Sequence, residues 1–261
     1  MLWVVQTQTT GTEQTMSDMK NKVAIVTGAS RGIGAAIVER LSHDGFTIIV
    51  NYAGNAALAD AVVNKIEASG GIARAAQADV ADPAAVKRMF DAAEDAFGGV
   101  DVLVNNAGIM TLSPLATTED VDFDKLVSVN LKGTFNTMRE AGKRLRDNGR
   151  IINFSTTVVG LKLENYGVYA ATKAAVETLT AIMTKEMRGR NISVNAIAPG
   201  PTATDLFLDG KSEELVARMA KMSPLERLGT PEDIAGVVAF LAGPDGAWVN
   251  GQILRANGGI I

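Results

Sequence analysis

Short runs of Val and Ile alternate with longer Ala-rich segments along most of this chain, and this alternation constrains the fold more than any other feature. Five runs are apolar on both faces, as strands covered on two sides must be: residues 23–27, 47–51, 100–104, 150–154 and 192–197. Helical spacing follows them at residues 33–42, 56–68, 84–96, 123–145, 166–188 and 232–241. The pattern predicts repeated βαβ units, and hence an α/β fold with a doubly wound parallel sheet and helices on both faces.

The alternation begins at residue 22. Residues 1–21 include a stretch rich in Thr and Gln with no apolar period, so we expect a flexible N-terminal extension. No linker divides residues 22–261, which we expect to form one domain. Residues 202–227 interrupt the βα rhythm, and such a stretch is typical of a lid over a site.

Composition excludes several kinds of chemistry. The 261 residues include no Cys and one His, His43, which excludes thiolate nucleophiles and Cys- or His-rich metal sites, so we expect no metal. The net charge is −4 with both signs interspersed, which disfavours nucleic acid as a partner. The sequence shows neither a membrane-length apolar run nor a signal peptide, so we expect no membrane partner and a cytoplasmic protein.

A glycine-rich turn joins the first apolar run to the first helical segment. It reads TGASRGIG over residues 27–34 and places glycines at Gly28, Gly32 and Gly34. Glycines let a backbone approach a pyrophosphate, whose charge is met by free amide groups at the helix N-terminus. The turn favours a dinucleotide site, and a plain strand–helix turn is the alternative interpretation.

The second apolar run ends in Asn51, Tyr52 and Ala53, without the acidic residue that NAD-binding folds usually place there. Arg31, within the glycine-rich turn, is able to pair with a 2′-phosphate. The sequence therefore favours NADP(H), with NAD(H) as the alternative cofactor. A solvated loop cation is the competing interpretation of Arg31.

Tyr169 and Lys173 are four residues apart in a helical segment, so their side chains share one face. A charge about 4 Å away is worth roughly 4 kcal/mol at an effective dielectric of about 20, or about three pKa units. We therefore expect Lys173 to lower the pKa of the Tyr169 phenol. The alternative is a lysine that packs beside a half-buried tyrosine, as in many helices. Tyr166 has Ala170, not a lysine, at the equivalent position.

Together these motifs resemble the short-chain dehydrogenase/reductase family over residues 22–261, most closely its 3-oxoacyl-carrier-protein-reductase-like members. The resemblance is carried by the glycine-rich turn, Asp79-Val80, the NNAG run at 105–108, Asn130, Tyr169 with Lys173, Pro199-Gly200, Asn250-Gly251 and the NGG run at 257–259. It implies a Rossmann-type domain with a sheet of about seven strands, assembled as a homotetramer.

The activity implied by the resemblance is NADP(H)-dependent reduction of a ketone to an alcohol. The substrate is a small 3-oxoacyl or similar carbonyl compound, free or linked as an acyl thioester. An NAD-linked alcohol or polyol dehydrogenase is one alternative. A dinucleotide-binding regulatory protein with weak catalysis is another.

The resemblance also implies residue roles. Tyr169 would donate the proton, Lys173 would stabilise the phenolate, and Asn130 would bind a water that relays protons. The expected cofactor contacts are Gly28, Ser30, Arg31, Gly32, Ile33, Gly34, Asn51, Tyr52, Ala53, Asp79, Val80, Asn106, Ala107, Gly108, Tyr169, Lys173, Pro199, Gly200, Thr202 and Thr204.

The sequence departs from the family at the position that holds the substrate carbonyl. The family places a Ser there, about 12–13 residues before the Tyr, and this chain offers Ser155, Thr156 and Thr157, whose hydroxyls can donate the same hydrogen bond. Strand alternation places Ser155 and Thr157 on one face and Thr156 on the other. We therefore expect Thr157, or Ser155, to hold the carbonyl oxygen.

Overall fold

Residues 22–261 are described by the computed structural model, and the predicted extension over residues 1–21 lies outside them. The strands are β1 (Val23–Val26), β2 (Thr47–Tyr52), β3 (Ile72–Gln77), β4 (Val100–Asn105), β5 (Leu145–Phe154), β6 (Ser193–Pro199) and β7 (Ile253–Ala256). They form one parallel seven-stranded sheet in the order β3-β2-β1-β4-β5-β6-β7. This order confirms the predicted doubly wound topology.

The helices lie between and beyond these strands. They are α1 (Gly32–His43), α2 (Ala56–Ala68), α3 (Pro83–Phe97), α4 (Asp120–Leu126), α5 (Thr134–Arg144), α6 (Val158–Leu161), α7 (Gly167–Glu186), α8 (Asp205–Leu208), α9 (Glu213–Ala220) and α10 (Pro231–Ala242). A π-helical segment, Val127–Gly133, joins α4 to α5, so the middle helix predicted over residues 123–145 is continuous but contains a wider, underwound stretch with i→i+5 hydrogen bonds.

The sheet is covered on both faces, as its apolar strands require. In β1, Ala24 and Val26 face a core formed with α1, α2 and α10, whereas Val23 and Ile25 face a core formed with α3, α5 and α7. Because both sets of alternating side chains are buried, the strand reads as a continuous apolar run. Within residues 22–261, no helix is both long and apolar enough to cross a membrane.

The two edge strands are missing from the predicted set of strands. β3 has the sequence IARAAQ, in which exposed and buried residues mix and alanines are typical of a helix. β7 is only four residues long and is half exposed. Residues 202–227, which are predicted to form a lid, contain the short helices α8 and α9, and the sequence pattern predicts neither helix.

A chain of buried polar side chains runs along one face of the sheet from α5 to α7. The Thr137 hydroxyl donates to Asn105 Oδ1 at 2.6 Å, and Asn105 Nδ2 donates to Asn153 Oδ1 at 2.8 Å. Asn153 Nδ2 then donates to the Thr180 hydroxyl at 2.8 Å. Asn153 is 0% exposed and is the acceptor for the buried Asn105 Nδ2, whereas the Thr180 hydroxyl also donates to the Val176 carbonyl oxygen.

Asn153→Ala should lower the free energy of unfolding by about 2–4 kcal/mol, because it leaves the Asn105 amide without its acceptor and opens a buried gap. Urea denaturation followed by circular dichroism measures this loss. The matched control is Asn64→Ala on the exposed side of α2, expected within about 0.5 kcal/mol of wild type. A loss at Asn153 no larger than that of the control would contradict the role given to this chain of hydrogen bonds.

Candidate active site

A cleft of about 660 Å³ lies at the carboxyl end of the sheet, where the strand order reverses between β1 and β4. All residues predicted from the sequence as site residues line this cleft except Asn130, which is fully buried behind it. The fold therefore brings together side chains that are spread over most of the described sequence. His43, in contrast, ends α1 with its side chain 83% exposed.

The glycine-rich turn forms one wall of the cleft. Gly28 has a φ of +62°, and a Cβ there would lie 2.9 Å from the Ala107 Cα, so only glycine fits. Asn106 Nδ2 donates to the carbonyl oxygens of Thr27 and Gly28 at 2.9 and 3.0 Å. Among the described residues no side chain caps the N-terminus of α1, which leaves its first amide groups available to an anion.

Asn51, a predicted cofactor contact, lines the cleft, and its side chain is hydrogen-bonded within the protein. Its Oδ1 accepts from the Gly28 amide at 3.2 Å, and its Nδ2 donates to the carbonyl oxygens of Ala76 and Ala78 at 3.1 and 3.0 Å. This side chain is 1% exposed and braces the glycine-rich turn from below. The neighbouring Tyr52 and Ala53 do present their edges to the cleft, as does Arg31.

Tyr169 and Lys173 lie one turn apart on α7, and both line the cleft. Lys173 is 4% exposed, and its Nζ donates to the Phe154 carbonyl oxygen at 2.9 Å. Burial lowers the pKa of Lys173 to about 8. At pH 7 most Lys173 side chains therefore carry a proton, and the side chain loses its charge as the pH rises through about 8.

The expected lowering of the Tyr169 pKa is wrong for this structure. Burial raises the pKa of the phenol to about 12, and the Thr156 hydroxyl offsets only part of that rise. Desolvation of the phenolate is the largest cause, and the Lys173 ammonium is instead directed at the Phe154 carbonyl oxygen. Tyr169 is consequently neutral over the physiological range, which is the protonation state that a proton donor needs.

Asn130 lies in the π-helical segment and braces the cleft from behind. Its Oδ1 accepts from the Ile109 amide and its Nδ2 donates to the Ile109 carbonyl oxygen, both at 2.9 Å. The same Nδ2 lies 3.4 Å from the hydroxyl of Thr172, on α7 next to Lys173. A Cβ at Gly108 would lie 3.3 Å from Asn130 Oδ1 and 3.4 Å from Lys173 Nζ, so these groups surround one small space.

Ser155, Thr156 and Thr157, the three hydroxyl residues at the position expected to hold the carbonyl, all line the cleft but have different partners. The Ser155 hydroxyl donates to Glu177 Oε1 at 2.5 Å, and the Thr157 hydroxyl donates to the Ala198 carbonyl oxygen at 3.2 Å. The Thr156 hydroxyl lines the cleft together with Tyr169 and lowers the pKa of that phenol. Strand alternation fails here because β5 ends at Phe154 and Thr157 adopts helical angles, with φ −56° and ψ −25°.

Apolar side chains that the sequence analysis did not single out line the other end of the cleft. They come from the loop after β4, from the α6 region and from the lid, and include Met110, Leu161, Leu163, Phe207, Met219 and Met222. Loop residues of this kind carry no periodic signal, so only the folded chain shows that they meet. Among residues 22–261, no three His, Asp or Glu side chains are grouped to hold a metal.

Comparison with known proteins extends the likeness over nearly all of the described chain. The sequence model of a family described as enoyl-(acyl carrier protein) reductase matches residues 28–261. A short-chain type dehydrogenase/reductase of Picea abies is 47% identical over 248 residues, which cover 91% of this chain and 92% of that protein.

Two further relatives bear on the cofactor. An NADPH-dependent aldehyde reductase-like protein, chloroplastic, of Arabidopsis thaliana is 46% identical over 257 residues, 93% of this chain and 95% of that protein. The crystal structure of a short chain dehydrogenase from Burkholderia cenocepacia in complex with NADP has a TM-score of 0.87 and 38% identity, covering 93% of this chain and 98% of that one. The chain belongs to the short-chain dehydrogenase/reductase family.

Proposed function

We propose that this protein is an NADP(H)-dependent reductase that converts the carbonyl group of a small aldehyde or ketone to an alcohol. The observation that carries this proposal is that Tyr169, Thr156 and Lys173 line the same cleft as the glycine-rich turn. A 3-oxoacyl compound, free or as a thioester, is one candidate substrate.

The residues present fit NADP(H). The uncapped N-terminus of α1 would hold the pyrophosphate, and the exposed Arg31 would pair with the 2′-phosphate. Asp79 and Val80 would contact the adenine, and Lys173 the nicotinamide ribose. When bound, the cofactor supplies the hydride. The relatives described as NADPH-dependent or in complex with NADP support this choice of cofactor.

The chain itself supplies the proton and orients the carbonyl. The Thr156 hydroxyl accepts from the Val158 amide at 3.3 Å, which leaves its O–H free to donate to the carbonyl oxygen. Tyr169 donates its phenolic proton as the alkoxide forms, and the Lys173 ammonium stabilises the phenolate that remains. Reprotonation of Tyr169 runs through Lys173, with a water at Asn130 as the link to solvent.

The rate of carbonyl reduction should depend on pH through the protonation state of Lys173. Because the pKa of Lys173 is lowered to about 8 and that of Tyr169 is raised to about 12, the phenol keeps its proton while the lysine loses its charge as the pH rises through 8. We expect kcat/KM for NADPH to fall roughly tenfold between pH 7 and pH 9. Lys173→Met should flatten this limb of the profile, and a wild-type profile that is level across pH 8 would contradict the assignment.

The proposed function is tested by NADPH oxidation with a panel that contains aldehydes, ketones, a β-keto ester and a 3-oxoacyl thioester. Turnover with at least one carbonyl compound, together with tighter binding of NADPH than of NADH, is the expected result. Cofactor binding without turnover of any carbonyl or alcohol would favour the regulatory alternative. Faster oxidation of alcohols with NAD would favour the dehydrogenase alternative.

The homotetramer is part of the same proposal. Large apolar side chains are exposed on the two long helices and on the last strand: Phe135 on α5, Ile182 on α7 and Ile253 on β7, at 44%, 49% and 42%. Contacts between copies of the chain would cover such residues. Light scattering coupled to size exclusion measures the assembly.

A further inference from the structure

Residues 257–261, the segment after β7, lie behind the loop that carries the three hydroxyl residues. Asn257 is 8% exposed, and its Nδ2 donates to the Thr157 hydroxyl oxygen at 3.1 Å. Its Oδ1 accepts from the Gly259 amide at 3.0 Å. Since a backbone amide can only donate, this second contact fixes which end of the Asn257 side chain faces Thr157.

Thr157 is held from both sides as a result. Its hydroxyl oxygen accepts from Asn257, so its hydrogen is directed at the Ala198 carbonyl oxygen, 3.2 Å away. Its backbone amide donates to the Pro199 carbonyl oxygen at 3.0 Å. Thr157 is 2% exposed and therefore anchors the start of α6 to β6 and to the segment after β7.

The anchored residue, Thr157, is next in sequence to Thr156, the residue proposed to bind the substrate carbonyl. Thr156 shares a peptide group with Thr157, and it lines the same cleft as Tyr169, with its hydroxyl oxygen accepting from the Val158 amide at 3.3 Å. We propose that Asn257 is a positioning residue: its hydrogen bond to Thr157 holds the peptide between residues 156 and 157 so that the Thr156 hydroxyl stays at Tyr169. The inference rests on the proposed reductase function.

The surroundings allow the side chain of Asn257 to be changed without loosening its backbone. The Gly200 amide donates to the Ala256 carbonyl oxygen at 3.0 Å, and Pro199 pairs with Ala256 in the sheet. A Cβ at Gly200 would lie 2.8 Å from the Asn257 Cα, so the two backbones are in direct contact. Variants at residue 257 therefore remove the side-chain hydrogen bond from a position that the sheet still holds.

Asn257→Asp is the sharpest variant, because it keeps the shape and replaces the donor with an acceptor. The Thr157 hydroxyl must then turn from Ala198 towards the carboxylate, or the two oxygens repel. We expect kcat for carbonyl reduction to fall about tenfold, as for a small displacement of a reacting group. The carbonyl KM and the Kd for NADPH, measured by fluorescence titration, should change less than about twofold, since neither binding surface is altered.

Two further variants separate positioning from general damage. Thr157→Val should lower kcat about as much as Asn257→Asp, and the double variant should be no worse than either, because both remove one hydrogen bond. Thr157→Ser keeps the hydroxyl and should restore wild-type kcat. The matched control, Asn250→Ala, removes a 2.9 Å hydrogen bond from the Val194 amide near the opposite end of β7 and should leave kcat unchanged.

A wild-type kcat in Asn257→Asp would overturn the inference while the proposed function stands. An equal fall in Asn250→Ala, or effects of the two single variants that multiply in the double variant, would also overturn it. A wild-type protein that binds NADPH but reduces no carbonyl compound overturns the proposed function and the inference together.

Discussion

Tyr169→Phe is expected to lower kcat for NADPH-dependent carbonyl reduction by about 10²–10⁴-fold, the range typical of a lost general acid. Phenylalanine keeps the ring, and the buried Lys173 retains its contact with the Phe154 carbonyl oxygen. The glycine-rich turn and Arg31 are untouched, so the Kd for NADPH should stay close to the wild-type value. Steady-state kinetics and a fluorescence titration of NADPH measure the two quantities.

Tyr166→Phe is the matched control for that variant. The Tyr166 ring lies 6.4 Å from the Tyr169 ring and also lines the cleft, but no lysine follows it one turn later. Its kcat should fall far less than that of Tyr169→Phe. Activity retained in Tyr169→Phe, or lost equally in both variants, would show that Tyr169 is not the proton donor.

The fold was largely predictable because its central strands are buried on both faces. The five runs singled out in the sequence coincide with β1, β2, β4, β5 and β6, where a continuous apolar pattern leaves few alternatives. The edge strands β3 and β7 were not predicted from the sequence. Each pairs with one neighbouring strand and is partly exposed, so its residue composition does not distinguish it from a helix or a loop.

The site was predictable wherever it depends on spacing within one element. The four-residue interval between Tyr169 and Lys173 placed both side chains in the cleft because α7 is regular there. The Tyr169 pKa was not predictable, because the burial that raises it to about 12 arises from residues distant in sequence. The same holds for Asn257, one hundred residues from the Thr157 hydroxyl that it contacts.

The orientation of Thr156 could not be predicted from the alternation of side chains along a β-strand. Alternation assigns residues 155 and 157 to one face only while the chain remains extended, and the strand ends one residue before this run. With Thr157 in a helical conformation, the middle hydroxyl turns towards Tyr169 and the outer two find partners in Glu177 and Ala198. Our proposal therefore gives the carbonyl-binding role to Thr156, whereas the sequence pattern favours Thr157 or Ser155.

Thr156→Val should lower kcat about 10²-fold, the cost typical of removing one hydrogen-bond donor to a developing oxyanion. Valine matches threonine in shape, so the buried loop keeps its packing while losing the O–H group. Thr156→Ser should recover most of the wild-type kcat, because it restores the donor. The Kd for NADPH should be unchanged in both variants, since cofactor binding does not require this hydroxyl.

Variants of the neighbouring residues Ser155 and Thr157 test whether Thr156 is the residue that binds the carbonyl oxygen. Thr157→Val acts only through position and should cost about tenfold in kcat, whereas Ser155→Ala removes a hydroxyl that is bound to Glu177 and should cost less still. Rates for the three variants, measured at saturating NADPH and carbonyl substrate, should therefore rise in the order Thr156→Val, Thr157→Val, Ser155→Ala. If Thr157→Val were the slowest variant and Thr156→Val nearly as fast as wild type, the carbonyl would be held by Thr157. Loss of a hydroxyl that only anchors the loop should reduce kcat less than loss of the hydroxyl that binds the reacting oxygen.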